Sequence, residues 1–137
     1  MPEESNSLDI GYGLRIELTQ ADTWRVLAKN GCFDLVEASD FWRVIILLER
    51  PYTDVKKYID EYIDRTGSGN YFPYWKVVSA GFSFETDQWA SLALSWFPNL
   101  ALNEKVKLCD QLDCIANSKW AGQKSRQLAS RYAKQLK

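Results

Sequence analysis

Residues 10–18 read IGYGLRIEL, and whether they stand alone or belong to a sheet decides the fold class. Ile10, Tyr12, Leu14, Ile16 and Leu18 share one parity, and Gly11, Gly13, Arg15 and Glu17 share the other. That is period two, the pattern of a half-buried strand. The two glycines weaken it, because glycine in a strand interior costs entropy and packs nothing. The stretch therefore reads as an extended arm or lone strand laid on helices. Residues 1–8, before it, read as frayed.

Everything downstream reads as helix or leans that way. Thr19 caps a helix over about residues 20–30, with Asp22 in its first turn and Gly31 just past its end. Ser39 caps DFWRVIILLER, which stops before Pro51 because a residue preceding proline avoids the helical region. Thr53 caps YTDVKKYIDEYIDRT, where Val55, Tyr58, Ile59, Tyr62 and Ile63 recur on one helical face and Gly67 supplies the C-terminal turn. YFPYWKVVSAGFSFE is ambiguous: Pro73 can open a short helix to about Ala80, or YWKVV and FSFE can be two strands around Gly81. The reading leans to helix, like the clearer segments around it. Thr86 caps a helix with Trp89, Leu92, Ala93, Trp96 and Phe97 inward, stopped by Pro98. Asn103 caps the next, with Val106, Cys109, Leu112, Ile115 and Ala116 inward. Ser118 caps the last, with Ala121, Leu128, Ala129, Tyr132 and Leu136 inward. Short connections make these antiparallel neighbours. The expected fold is all-α, one domain over residues 1–137, with helices stacked as a bundle or short helical-repeat array.

The chain has 137 residues, six of them Trp, seven Tyr and six Phe. That is ample material for one core without disulfide or metal. Cys32, Cys109 and Cys114 fit no disulfide framework or zinc spacing, and read as buried thiols in a reducing compartment. MPEESNSLD lacks the basic and apolar regions of a secretion signal. The longest apolar run, VIILL, is far short of the roughly 20 residues of a membrane span. The expectation is a cytoplasmic protein with no membrane association.

There is no histidine. That removes the commonest general base, the serine-type triad and most metal sites. Neither a phosphate loop nor a dinucleotide fingerprint is present. The reading is non-catalytic, with no cofactor and no metal.

Charge is uneven beneath a net −1. Residues 1–40 carry eight acids and three bases; residues 101–137 carry three acids and eight bases. The ends either neutralise each other in the fold or leave two charged faces. Asp60, Glu61 and Asp64 fall in the last turns of their helix, where the helix dipole is already negative and an exposed acid costs about 0.3–1 kcal/mol. Lys56 with Asp60 and Glu61 with Arg65 offset part of this. The ordinary reading is a mixed, solvated helix face; the sharper one is an acidic patch kept for a basic partner. Glu37 and Asp40 join that candidate patch. Tyr62, Tyr71, Tyr74 and Trp75, near it in sequence, are candidate anchors, since tyrosine and tryptophan dominate interface energetics. The bases of the last helix sit where the dipole favours them, and no nucleic-acid module accompanies them, so nucleic-acid binding is not expected.

In combined character the chain resembles the small immunity proteins of bacterial toxin systems, contact-dependent inhibition included. The resemblance is one of type across the whole length, with no motif from which a residue can be carried over. It implies a tight one-to-one complex with a cognate toxin, often a basic nuclease whose active site is covered. The alternatives are a helical adaptor or scaffold subunit and, further back, a nucleic-acid accessory protein.

Overall fold

A computed structural model of the protein describes residues 7–19, 21–66 and 71–137. The chain opens with four strands: β1 (Ser7–Gly11), β2 (Leu14–Leu18), β3 (Trp24–Ala28) and β4 (Gly31–Leu35). They form an antiparallel meander in sequence order. The expectation of an all-α fold is therefore wrong: the protein is mixed, a four-stranded sheet followed by helices.

Two local features explain the sheet. Tyr12 and Gly13, with φ of 57° and 77°, form a two-residue turn closed by the Gly11–Leu14 pair. Hairpin turns of this kind need positive φ at both central residues. The glycines that seemed to spoil a single strand are the corner between two. Thr19 caps no helix; its hydroxyl accepts the N–H groups of Ala21 and Thr23 and shapes the β2–β3 loop. Trp24, Val26 and Ala28 then alternate with Arg25 and Leu27, and a two-residue turn at Lys29–Asn30 leads to β4. Ser7 and Leu8 lie in β1 and are buried, so fraying does not reach them.

One sheet face is apolar. Leu8, Ile16, Val26 and Phe33 align across all four strands, with Trp24 and Leu35 in the next row. The other face carries Asp9 opposite Arg15 and a row of Glu17, Arg25 and Asp34.

A 3₁₀ helix at Ala38–Glu49 follows, interrupted at Val44 by non-helical angles. It begins after Glu37, not after Ser39. The helices are α1 (Tyr52–Thr66), α2 (Tyr74–Ser83), α3 (Asp87–Trp96), α4 (Leu102–Lys105), α5 (Cys109–Ala116) and α6 (Gln123–Gln135), with 3₁₀ turns at Phe97–Asn99 and Val106–Leu108. The ambiguous stretch is thus helix α2, with Pro73 at its N-cap. Thr86 caps α3 as expected, accepting the N–H of Trp89. Three other expected caps differ. Tyr52 opens α1, and the Pro51 carbonyl takes the N–H groups of Asp54 and Val55. Ala101 precedes α4, and Gly122 precedes α6. Asp87 of α3 supplies what Gly122 lacks, holding its N–H at 2.7 Å and lying beside Ser125. Those bonds keep the Asp87 carboxyl below its ordinary range. The expected turn at Gly67 lies outside the described residues.

Sheet and helices share one core. α2 packs along the 3₁₀ helix and against α3, while α5 and α6 pair and α6 rests on α3. Gly81 marks the tightest crossing: a Cβ there would lie 2.6 Å from Leu48 and 3.0 Å from Ala93. The cysteines are free, and Cys32 and Cys114 are exposed rather than buried. No helix among the described residues is long and apolar enough to cross a membrane.

Candidate functional site: an aromatic cleft on an acidic flank

The connection from α1 to α2 builds the site. The segment from Tyr71 turns tightly at Pro73 into α2, with the Tyr74 N–H donating to the Phe72 carbonyl at 2.9 Å. Phe72 is fully buried, Tyr74 is 5% exposed, and Tyr71 is 63% exposed. The Trp24 indole N–H donates to the Tyr71 carbonyl at 3.1 Å and ties this segment to the sheet. A run of ring contacts continues inward: Trp24 to Phe72, Phe72 to Tyr74, Tyr74 to Tyr52, and Tyr52 to Trp96, with centroids 5.0–5.4 Å apart. All four meet edge to face, the arrangement ring quadrupoles favour.

Above this floor lies a cleft of about 390 Å³, lined by Tyr52, Tyr71 and Tyr74 with Lys56, Asp60, Glu104, Asn99 and Asn103. Lys56 pairs with Asp60 at 2.7 Å, as the i,i+4 spacing predicts, and the Tyr74 hydroxyl donates to the same carboxylate at 3.4 Å. The pair holds the Lys56 ammonium above its usual range. Glu104 is half-buried, and its carboxylate has no hydrogen bond or ion pair among the described residues. A second hollow on the far side of Tyr71, about 240 Å³, is lined by Trp24, Val36 and Pro73.

The sequence candidates separate into distinct environments. Asp60, Tyr71 and Tyr74 come together in the cleft. Tyr62 does not join them; it is 1% exposed, packs against Trp24, and its hydroxyl accepts the Leu18 N–H. As a partner anchor it is ruled out by burial, and Tyr74 offers a partner only its cleft side. Trp75 is half-buried, with the Lys107 ammonium 4.9 Å from its ring. Asp40 is spent on the fold: its carboxylate accepts the N–H groups of Val36 and Glu37 at the start of the 3₁₀ helix. That is where the dipole favours an acid. Glu37 is exposed beside it.

Glu61 and Asp64 are exposed on α1 and form no ion pair among the described residues. The expected Glu61–Arg65 pair is absent. Arg65 instead lines a shallow hollow with Glu17, Asp22 and Asp34 of the sheet end. The four ion pairs found among the described residues are Asp9–Arg15, Glu17–Arg25, Lys56–Asp60 and Asp113–Lys137. None joins the acids of the first 40 residues to the bases of the last 37. Three of those bases, Arg126, Arg131 and Lys134 of α6, line a groove whose lining holds no acid.

Sequence reading missed Glu104, Tyr12 and Tyr58. Tyr12 is 77% exposed at its hairpin corner and donates to Glu49; Tyr58 donates to the Asp9 carbonyl. Tyr58 shares the apolar face of α1 in spacing but sits at its edge. The signal for Glu104 was its place in a helical first turn, which says nothing of tyrosines 30 to 50 residues earlier.

Buried phenols give the site a pH signature. Burial, with Asp60 nearby, pushes Tyr74 far above the ordinary 10.0; burial also raises Tyr52 and Tyr62. The unfolded chain ionises these groups near pH ~10 and the folded one does not. Their stabilisation is therefore whole below that pH and is lost as pH rises toward the folded values. For Tyr74 the loss is about 1.4 kcal/mol per pH unit. Urea melts above pH ~10 will show this slope, and Tyr74→Phe will flatten it. An equal slope in the variant removes Tyr74 as the cause.

No protein-family model, curated protein or solved structure matches the chain.

Proposed function

We propose that the protein is a non-catalytic inhibitor of the immunity type, which acts in the cytoplasm by covering a basic toxin domain. The observation that carries this reading is the pair Glu61 and Asp64. They lie exposed near a helix C-terminus with no counter-charge among the described residues, on the helix that also supplies one wall of a tyrosine cleft. A purely architectural surface gains nothing from acids at that end. A surface meant for a cationic partner gains rate and orientation from them. Tyr71 beside the cleft supplies exposed ring area of the kind that anchors interfaces.

The test is co-expression with a toxin domain encoded beside the protein's own gene. Growth rescue and a one-to-one complex by light scattering are expected. Glu61→Lys with Asp64→Lys should slow association roughly ten-fold or more at low salt, and less at high salt, while the melting temperature rises, because a helix C-terminus favours cations over acids. Failure to recover any stoichiometric protein partner overturns the reading.

A further inference from the structure

The cleft beside Tyr71 has the composition of a receptor for a planar cation. Three tyrosine rings border it: Tyr52 and Tyr74 meet edge to face at 70° with centroids 5.3 Å apart, the Lys56 ammonium lies 5.8 Å from the Tyr74 ring centre, and Tyr71 is 63% exposed. Ring faces carry negative potential and attract ammonium and guanidinium groups. Asp60 is already neutralised by Lys56 at 2.7 Å, which leaves Glu104 as the net charge of the cleft. Burial first of all raises Tyr52 and Tyr74, and the Asp60 hydrogen bond raises Lys56; the Glu104 carboxylate adds a smaller push in the same direction on all three.

An acid in a helical first turn is unremarkable in itself. That explains why Glu104 suits its place in sequence. It does not explain a half-buried carboxylate without a donor beside three phenol rings, because a buried charge is costly until it is paired. Asn99 and Asn103 add side-chain carbonyl acceptors at the rim. A guanidinium satisfies this set better than an ammonium. It is flat, weakly hydrated, stacks on aromatic faces and offers several donors at once.

We infer that the cleft lined by Tyr52, Tyr71, Tyr74 and Glu104 receives an arginine side chain of the protein partner. The inference rests on the inhibitor reading above and deepens it by naming the partner group that is captured. The guanidinium would lie against the exposed Tyr71 ring at the mouth of the cleft, above the touching Tyr52–Tyr74 pair, with Glu104 as its counter-ion.

The test does not need the partner. The full chain is titrated with N-acetyl-arginine amide and with its neutral isostere, N-acetyl-citrulline amide, followed by the NMR signals of the tyrosine rings and the Trp96 indole. The arginine probe should shift these signals saturably at millimolar concentration, with the citrulline probe far weaker. Glu104→Gln and Tyr71→Ala should each weaken the arginine probe by roughly five-fold, within the range expected for an ion pair or a cation–π contact. Both variants change exposed or half-buried positions, so the thermal melt reports separately that they are folded. Equal shifts from the two probes, or wild-type binding by folded Glu104→Gln, overturn the inference. Either result leaves the inhibitor reading to be decided by partner capture, and a missing partner would not undo a positive arginine titration.

Discussion

Trp96→Ala will cost the fold about 3–5 kcal/mol, the usual range for emptying a large aromatic site in a core. Trp96 is 1% exposed at the end of α3. Its ring meets Tyr52 and Tyr74, and its indole N–H donates to the Arg50 carbonyl at 2.9 Å. Arg50 caps the 3₁₀ helix, so this bond satisfies a carbonyl at the junction between that helix and α1. Truncation removes ring contacts, leaves a cavity and orphans that carbonyl together. A fall in melting temperature of roughly 10 °C or more is expected for a domain of this size. Trp96→Phe separates the contributions, since it keeps most of the ring and loses the donor, at about 1–2 kcal/mol. Chemical denaturation of both variants checks this. A loss below about 1 kcal/mol for the alanine variant would show that the cleft floor is not part of the core. Where enough folded protein remains, the alanine variant should also lose arginine-probe binding, because Trp96 packs on both Tyr52 and Tyr74 and its loss would free them to shift.

Gly81→Val will cost about 3 kcal/mol, against the trend of intrinsic helix propensity, which ranks glycine below valine. The reason is the crossing of α2 with its two neighbours. A Cβ would stand 2.6 Å from the Leu48 side chain, closer than real Cβ contacts come, and 3.0 Å from Ala93 Cβ, tighter than most. Leu48 is 1% exposed and Ala93 fully buried, so neither side can yield without moving a helix. Gly81→Ala is the discriminating variant. Propensity alone predicts a gain of about 1 kcal/mol, whereas overpacking predicts a loss of about 1–3 kcal/mol. Equilibrium unfolding will decide the sign, and a stabilised alanine variant would mean that α2 can shift freely between its neighbours.

Trp96 lies in α3, whose limits were legible in the chain, and Gly81 in α2, which the chain left ambiguous between a helix and two strands. Apolar spacing found α1, and proline and threonine marked where α3 begins and ends, because those signals act within a few residues. Burial at single positions was less legible. Leu92 and Trp89 share an apolar spacing with Trp96, yet only Trp96 is fully interior. Which helix crosses which, and at which residue, was not legible at all. The sequence reading leans to helix at Gly81, with two strands around it as the alternative, and neither shows that α2 passes between Leu48 and Ala93.

The candidate site divides in the same way. The acids on α1 and their cost to the helix follow from sequence position alone, and so does the Lys56–Asp60 pair. The cleft does not, because Glu104 and Tyr71 meet only when the turn after α3 folds back toward the end of α1.

By itself the sequence determined helices α1 and α3, the proline stops, the lack of histidine and the separation of acids from bases along the chain, but its helix over about residues 20–30 is strand. These depend on periodicity, residue chemistry and counting. Only the tertiary structure decided that residues 7–35 are a sheet, which tyrosine is buried and which is exposed, and which carboxylate lacks a counter-charge. Strand pairing and burial are satisfied by partners far away in the chain, and no local pattern carries their identity.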